Sequence, residues 1–171
     1  MVKRLFLLLA LSIATLSVNA QKFAVVDMEY ILKNIPAYER ASEQLNQISK
    51  KWQAEVESVQ KEAQIQYKNL QNESVFLSEE QKTKKEEAIV AKEKEAAELK
   101  KKYFGPEGEL FKKRQALIAP IQEEIYNAVK DISESKGYSL IIDRSAEIGI
   151  IFSSPKIDIS NDVLAKLGFS N

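Results

Sequence analysis

The 171-residue chain has no cysteine and no histidine. Without cysteine there are no disulfide staples, so stability must come from an apolar core or from association with other chains. The two absences together remove the usual catalytic bases, nucleophiles and metal ligands. No glycine-rich phosphate loop is present either. An enzyme is not expected, and no metal, cofactor or nucleotide is called for. Net charge is missing as well: 25 basic groups balance 25 acidic ones. That balance favours neither nucleic acid nor an anionic membrane surface as a partner.

What is present begins with an export signal. Lys3 and Arg4 form a positive start, and residues 5–16 are apolar but too short to span a bilayer comfortably. Val18, Asn19 and Ala20 then supply small residues for cleavage before Gln21. Residues 1–20 therefore read as a cleaved signal peptide rather than a retained anchor. No cysteine follows that could be acylated. Cleavage leaves 23 basic against 25 acidic groups, a net charge of −2.

The centre of the mature chain is long, charged and nearly free of helix breakers. From Pro36, suited to a first helical position, apolar residues recur at Tyr38, Ala41, Leu45, Ile48, Trp52, Val56, Val59, Ala63, Tyr67 and Leu70. Spacings of three and four make one narrow seam, as on a helix with a single helical partner. Residues 72–74 end this helix. Val75, Phe76 and Leu77 follow, and Ser78 with Gln81 forms a capping-box pattern that restarts helix. Those three apolar residues either close the turn against Leu70 or stand exposed at a hairpin tip. The returning helix, residues 79–102, is almost pure Glu, Lys and Ala, with a thin seam expected at Ala88, Ala91, Leu99 and Tyr103. Between Glu43 and Tyr103 there are 12 lysines and 12 glutamates, so this surface is a solvated face and not a basic patch. Gly105, Pro106 and Gly108 should kink or break the helix, either as a simple kink or as a hinge at the arm's root.

The flanks are different in character. Residues 22–28 read as a strand, with Phe23 and Val25 on one side and Ala24, Val26 and Met28 on the other. Residues 29–34 could form a turn or two of helix. From Leu110 a broader stripe runs through Leu117, Ile121, Ile125, Ala128 and Ile132, as on a helix docked on a core. Pro120 should bend it, and Gly137 should stop it. Residues 138–143 read as a second strand. Residues 148–152 read as a third, paired with the second as a hairpin. Ser160 is expected to cap a short last helix. Asp143 and Arg144 are the nearest thing to a placed charge pair, and they read as an exposed turn. The fold class is α+β: a long antiparallel helical hairpin, residues 37–109, attached to a small β body from residues 21–36 and 110–171. About fifty residues make a marginal core alone, so oligomerisation is expected.

This order of elements resembles the Skp/OmpH family of periplasmic chaperones. The resemblance rests on residues 22–28, on Ile121 to Val129, on Tyr138 to Asp143, and on the closing stretch Asp158-Ile159-Ser160-Asn161-Asp162-Val163-Leu164. It implies a homotrimer whose body core includes Phe23, Val25, Leu140, Ile142, Ile150 and Phe152. Three hairpin arms would enclose a cavity that holds unfolded outer-membrane proteins soluble without ATP. Trp52, Tyr67, Val75, Phe76 and Leu77 are candidate client-binding residues, although Trp52 and Tyr67 also fall in the helical seam. The neutral arms depart from the family's basic ones, so no lipid- or lipopolysaccharide-binding residue carries over. Two other readings compete: a coiled-coil spacer of the cell envelope, and a module that touches membrane or cell-wall machinery through its apolar tip.

Overall fold

The computed structural model describes residues 21–146 and 149–169. The expected signal peptide, residues 1–20, lies outside the described residues, as do Glu147 and Ile148. The chain divides into two compact units. One combines the segment ending at Asn34 with the segment from Tyr126 onward; the other is Ile35–Ile125.

The first unit contains β1 (Lys22–Val26), α1 (Met28–Lys33), β2 (Tyr138–Asp143) and α5 (Ser160–Lys166), with a 3-10 turn at Pro155–Ile157. The strands pair in parallel, with Phe23 opposite Leu140 and Val25 opposite Ile142. On the other edge of β1, Val25 bridges to Asp158, and the Ile159 N–H donates to the Val25 carbonyl at 2.9 Å. β1 therefore has partners on both edges. Ala24, Val25, Val26, Ile31, Ile159, Val163 and Leu164 are buried. At the roughly 25 cal/mol per Å² of apolar area typical of such burial, these side chains are the unit's main stabilisation. Asp27 ends β1 and caps α1, accepting the Tyr30 N–H at 2.8 Å. Gly137, with φ +70°, ends the preceding helix in the left-handed conformation that glycine adopts freely.

Two expectations fail in this unit. The third strand does not form: Ile148 lies outside the described residues, and Gly149 to Phe152 have no regular structure. The second strand takes β1 as a parallel partner instead of forming a hairpin. A β-prone composition records fitness for a packed, pleated surface, and Ile151 (101% exposed) and Phe152 (82%) have none. Ser160 also does not cap α5. No side-chain cap bond is made there; the Ser160 hydroxyl instead accepts the Asp27 N–H at 2.9 Å.

The second unit contains α2 (Pro36–Glu73), a 3-10 turn (Ser74–Phe76), α3 (Glu79–Phe104) and the first part of α4 (Glu109–Lys136). α2 starts on Pro36 as expected. The capping box at α3 is complete: the Ser78 hydroxyl accepts the Gln81 N–H at 3.3 Å, and the Gln81 side chain accepts the Ser78 N–H at 3.0 Å. α2 and α3 fold back on one another. α2 contributes Ala41, Leu45, Val56, Ala63 and Leu70 to the buried seam; α3 contributes Ile89, Ala96 and Tyr103.

The seam differs from the expected one on both helices. On α3, Ala88 and Ala91 are exposed. The seam runs through Lys82, Lys85, Ile89, Lys92, Ala96, Leu99 and Tyr103, all buried or half-buried, in strict alternation of three and four. Lysines at core positions bury their stems and keep their ammonium groups wet, so a hydrophobicity reading misses them. On α2, Gln66 takes the place expected of Tyr67, and Tyr67 is 52% exposed.

At the far end of α3 the helix breaks outright. The Gly105 N–H closes on Lys101 O, and the Gly108 N–H closes on Gly105 O, both at 2.9 Å. A Cβ on Gly108 would stand 2.8 Å from Tyr103 O, so this tight turn requires glycine. α4 then runs through Pro120 without a break. Ile121, Ile125, Ala128 and Ile132 are buried along it, as the stripe predicts.

Candidate functional site

Among the described residues, no cluster of His, Cys, Asp or Glu could hold a metal ion, and no helix is long and apolar enough to cross a membrane. The candidate sites are therefore surfaces. They follow from how the seam of the α2–α3 hairpin is built.

Trp52 and Tyr103 stack at 4.7 Å with their planes 3° apart. Phe104 packs edge-on against Tyr103, and the Tyr103 hydroxyl donates to Glu55 Oε1 at 3.0 Å. Desolvation raises the Tyr103 pKa, and the bond to Glu55 raises it further. Trp52 is thus a half-buried part of a clasp beside the Gly105 turn. Intrahairpin packing is its visible role.

Towards the tip the seam becomes polar. Lys92 bonds Glu95 at 2.9 Å and Glu62 across the seam at 3.2 Å. Its pKa is raised by the Glu95 bond first and the Glu62 bond next. Lys85 pairs with Glu73 across the seam. Gln66 Oε1 is buried without a hydrogen-bond partner. Within α3, Lys82–Glu79 and Lys84–Glu80 pair at 2.7 Å. Such exposed pairs contribute little stability, about 0–1 kcal/mol each; they keep the shaft solvated.

Large apolar groups stand out against this background. Val75 and Phe76 are 85% and 86% exposed at the 3-10 turn. Leu77 beside them is half-buried, and Leu70 is buried. Tyr67 lines a groove of about 600 Å³ between α2 and α3, floored by Ala63, Ala96 and Ala97. The structure brings Val75, Phe76 and Leu77 together. Trp52 and Tyr67 lie apart from them, further along α2.

In the first unit, Arg144 binds two carboxylates, Asp27 Oδ2 and Asp158 Oδ2, each at 3.2 Å. The sequence pairs it instead with its neighbour Asp143. Alternation along a strand points neighbours to opposite faces, and Asp143 faces the other way. Its Oδ1 accepts the Ser145 hydroxyl at 2.7 Å, the Ser145 N–H at 2.9 Å and the Met28 N–H at 3.2 Å. Partial burial opposes its ionisation, but these three bonds outweigh burial and hold its pKa below the ordinary carboxylate value. Asp158 Oδ1 accepts the hydroxyl of Ser160 at 2.6 Å. The closing Asp-Ile-Ser stretch is therefore a polar lock that fastens α5 to the end of β1. Only the meeting of three distant segments reveals it.

The sheet leaves one face partly bare. Phe23 and Leu140, paired across the strands, are each 48% exposed; Val25 is buried, and Ile142 and Ile150 are half-buried.

Residues 22–167 match the family described as outer membrane protein (OmpH-like). The chain is 27% identical over 156 residues to the chaperone protein Skp of Yersinia enterocolitica, covering 90% of each chain. It is 25% identical over 159 residues to the chaperone protein Skp of Photorhabdus laumondii, covering 93% of each. Its fold is similar to that of an OmpH-like protein of Caulobacter crescentus CB15, with a TM-score of 0.66 at 14% identity, over 86% of this chain and 84% of that one. The chain belongs to the OmpH-like family, a family of chaperones and not of enzymes.

Proposed function

We propose that the mature chain is an ATP-independent holdase of the periplasm, exported by the signal in residues 1–20. It binds unfolded outer-membrane β-barrel proteins and keeps them soluble. The observation that carries this reading is the placement of apolar groups. Val75, Phe76 and Tyr67 lie uncovered, together with Ile65 and Val90, on a hairpin whose charges balance. A few shallow apolar contacts on a solvated arm hold a mobile client weakly at many points, without trapping it.

The working form is a homotrimer. Residues 21–36 and 110–171 supply the shared body, and residues 37–109 supply one arm from each copy. Phe23, Val25, Leu140, Ile142, Ile150 and Phe152 form the body core. In support, Phe23, Leu140 and Phe152 are all exposed in the single chain, and apolar groups of that size favour burial by about 1.5–3 kcal/mol each. The client sits in the cavity between the three arms.

Light scattering on the mature protein tests this, with and without a urea-unfolded outer-membrane barrel diluted into it. A trimer that gains one client's mass while the client stays soluble supports the holdase. A trimer that gains nothing while the client precipitates favours the envelope spacer. A monomer would remove the shared body. Phe76→Glu should weaken client holding and leave the trimer mass unchanged.

A further inference from the structure

The groove beside Tyr67 lies between α2 and α3, along the hairpin seam. It exists because both seam residues that line it, Ala63 and Ala96, carry only methyl groups. Helices pack about 8–10 Å apart, and two methyls do not fill that space. The seam is filled by Trp52 on Tyr103 near one end and by Leu70 near the other. The opening, about 600 Å³, lies within the ~300–1,000 Å³ typical of ligand clefts.

The lining has a definite chemistry. Its floor is apolar, and Tyr67, half exposed, offers a ring against which another ring can pack. Lys68 and Lys100 stand at the rim, both exposed. Neither makes an ion pair among the described residues. Lys82, Lys84, Lys85 and Lys92 on the same hairpin are all paired. Against these two free cations the rim sets one carboxylate, Glu93, so the rim is net positive within a hairpin whose charges balance in total.

We infer that this groove is a binding site for single aromatic side chains of unfolded polypeptide, preferring those with an acidic neighbour. The ring enters over the alanine floor beside Tyr67, and the adjacent carboxylate meets Lys68 or Lys100. Gln60 and Gln64 on the same wall offer amide groups to an extended backbone. The site rests on the holdase reading and gives it a substrate preference. It also differs in kind from Val75 and Phe76, which project from the tip and offer no cavity.

The test uses the mature protein and an acetylated seven-residue peptide carrying Phe between two Asp. Alanine methyl resonances report the site. The peptide should shift Ala63, Ala96 and Ala97 and leave Ala41 unmoved. Replacing its Phe by Ser should weaken binding about tenfold or more. Replacing both Asp by Lys should weaken it about two- to fivefold. Ala97→Phe, which fills the groove from an exposed position, should abolish the shifts. Lys100→Glu, a surface change that leaves the seam intact, should reverse the preference between the acidic and basic peptides. A urea-unfolded barrel should displace the peptide.

Shifts spread evenly along the hairpin, or peptide binding unchanged in Ala97→Phe, would overturn the inference. So would peptide binding that the barrel does not compete. A change in the protein's mass on Ala97→Phe would mean that the groove seats a second copy of the chain, and it would overturn the inference too. The holdase reading is judged separately, by whether the wild-type protein keeps the barrel soluble.

Discussion

Replacing Arg144 with methionine tests whether the polar lock holds the first unit together. The guanidinium bridges Asp27 and Asp158, each at 3.2 Å. The two carboxylates are only 23% and 18% exposed, and Arg144 is 41% exposed. A fully exposed pair is worth about 0–1 kcal/mol, whereas breaking a buried pair costs about 3–5 kcal/mol. Each carboxylate also keeps a second set of bonds. Asp27 still accepts the Tyr30 N–H, and Asp158 still accepts the Ser160 N–H and hydroxyl. The expected cost therefore lies between the limits, about 1.5–2.5 kcal/mol. The assay is amide hydrogen exchange at Ile159, whose N–H crosses to the Val25 carbonyl. Its protection should fall about ten- to seventyfold in Arg144→Met. The loss should shrink in 1 M salt, where screening reaches about 3 Å. Asp158→Asn should cost much less in the Arg144→Met background than in the wild type. A fall in protection under twofold, or additive effects of the two substitutions, would falsify the account of Arg144 as a lock.

Three further outcomes are expected. Gln66→Leu replaces an unpartnered buried oxygen with a seam-compatible side chain, so it should stabilise the hairpin by about 1 kcal/mol; an unchanged or lower melting temperature would count against the seam assigned to α2. Tyr103 has its pKa raised by desolvation and by Glu55. The stability linked to its protonated form is therefore complete below about pH 10 and lost as pH rises through the raised value. Circular dichroism should show alkaline melting of the hairpin that Tyr103→Phe moves to higher pH. Asp143 has the opposite sign. Its lowered pKa gives stability that is present above the unfolded value, about 4, and lost as pH falls through the folded one; Asp143→Asn should remove that part of the acid dependence in a pH series of urea melts.

The regular elements were legible because each has a local cause. Pro36, the Ser78–Gln81 box, the Gly105–Gly108 break and Gly137 all act within a turn of their own position, and each stands where the sequence puts it. What escaped depends on partners far along the chain. Lys85 and Lys92 look like surface residues until Glu73 and Glu62 are placed opposite them. Tyr67 looks like seam and Gln66 like surface, because hydrophobicity ranks them that way round and a strict heptad does not. Arg144 looks like a turn residue until Asp27 and Asp158 converge on it from 117 positions before and 14 after. The missing third strand is the same failure in another form. Composition marked Ile150 to Phe152 as β-prone, but a strand needs a neighbour, and none is found among the described residues.

These misses share a direction. Hydrophobicity ordinarily signals burial, and this chain separates the two. Between Ala63 and Lys92 its hairpin interior mixes Leu70 and Ile89 with alanine, glutamine and half-buried lysine. Val75, Phe76, Ile151 and Phe152 stand in solvent. A monomer that needed only to fold would gain by exchanging these assignments, since each buried large apolar group adds about 1.5–3 kcal/mol. Scattered exposed apolar residues are ordinary on protein surfaces. Here, though, the four most exposed come as adjacent pairs, at a helical turn and on an unpaired segment. Groups placed this way act on something other than the chain that carries them. For Phe152 the proposed neighbour is a second copy, and for Val75 and Phe76 it is the client. If the two pairs serve different neighbours, substitutions should separate them. Phe152→Ser should lower the oligomer's mass at low concentration, and Phe76→Ser should leave that mass unchanged while reducing client retention. Loss of both properties in both variants would mean that one apolar surface serves both purposes.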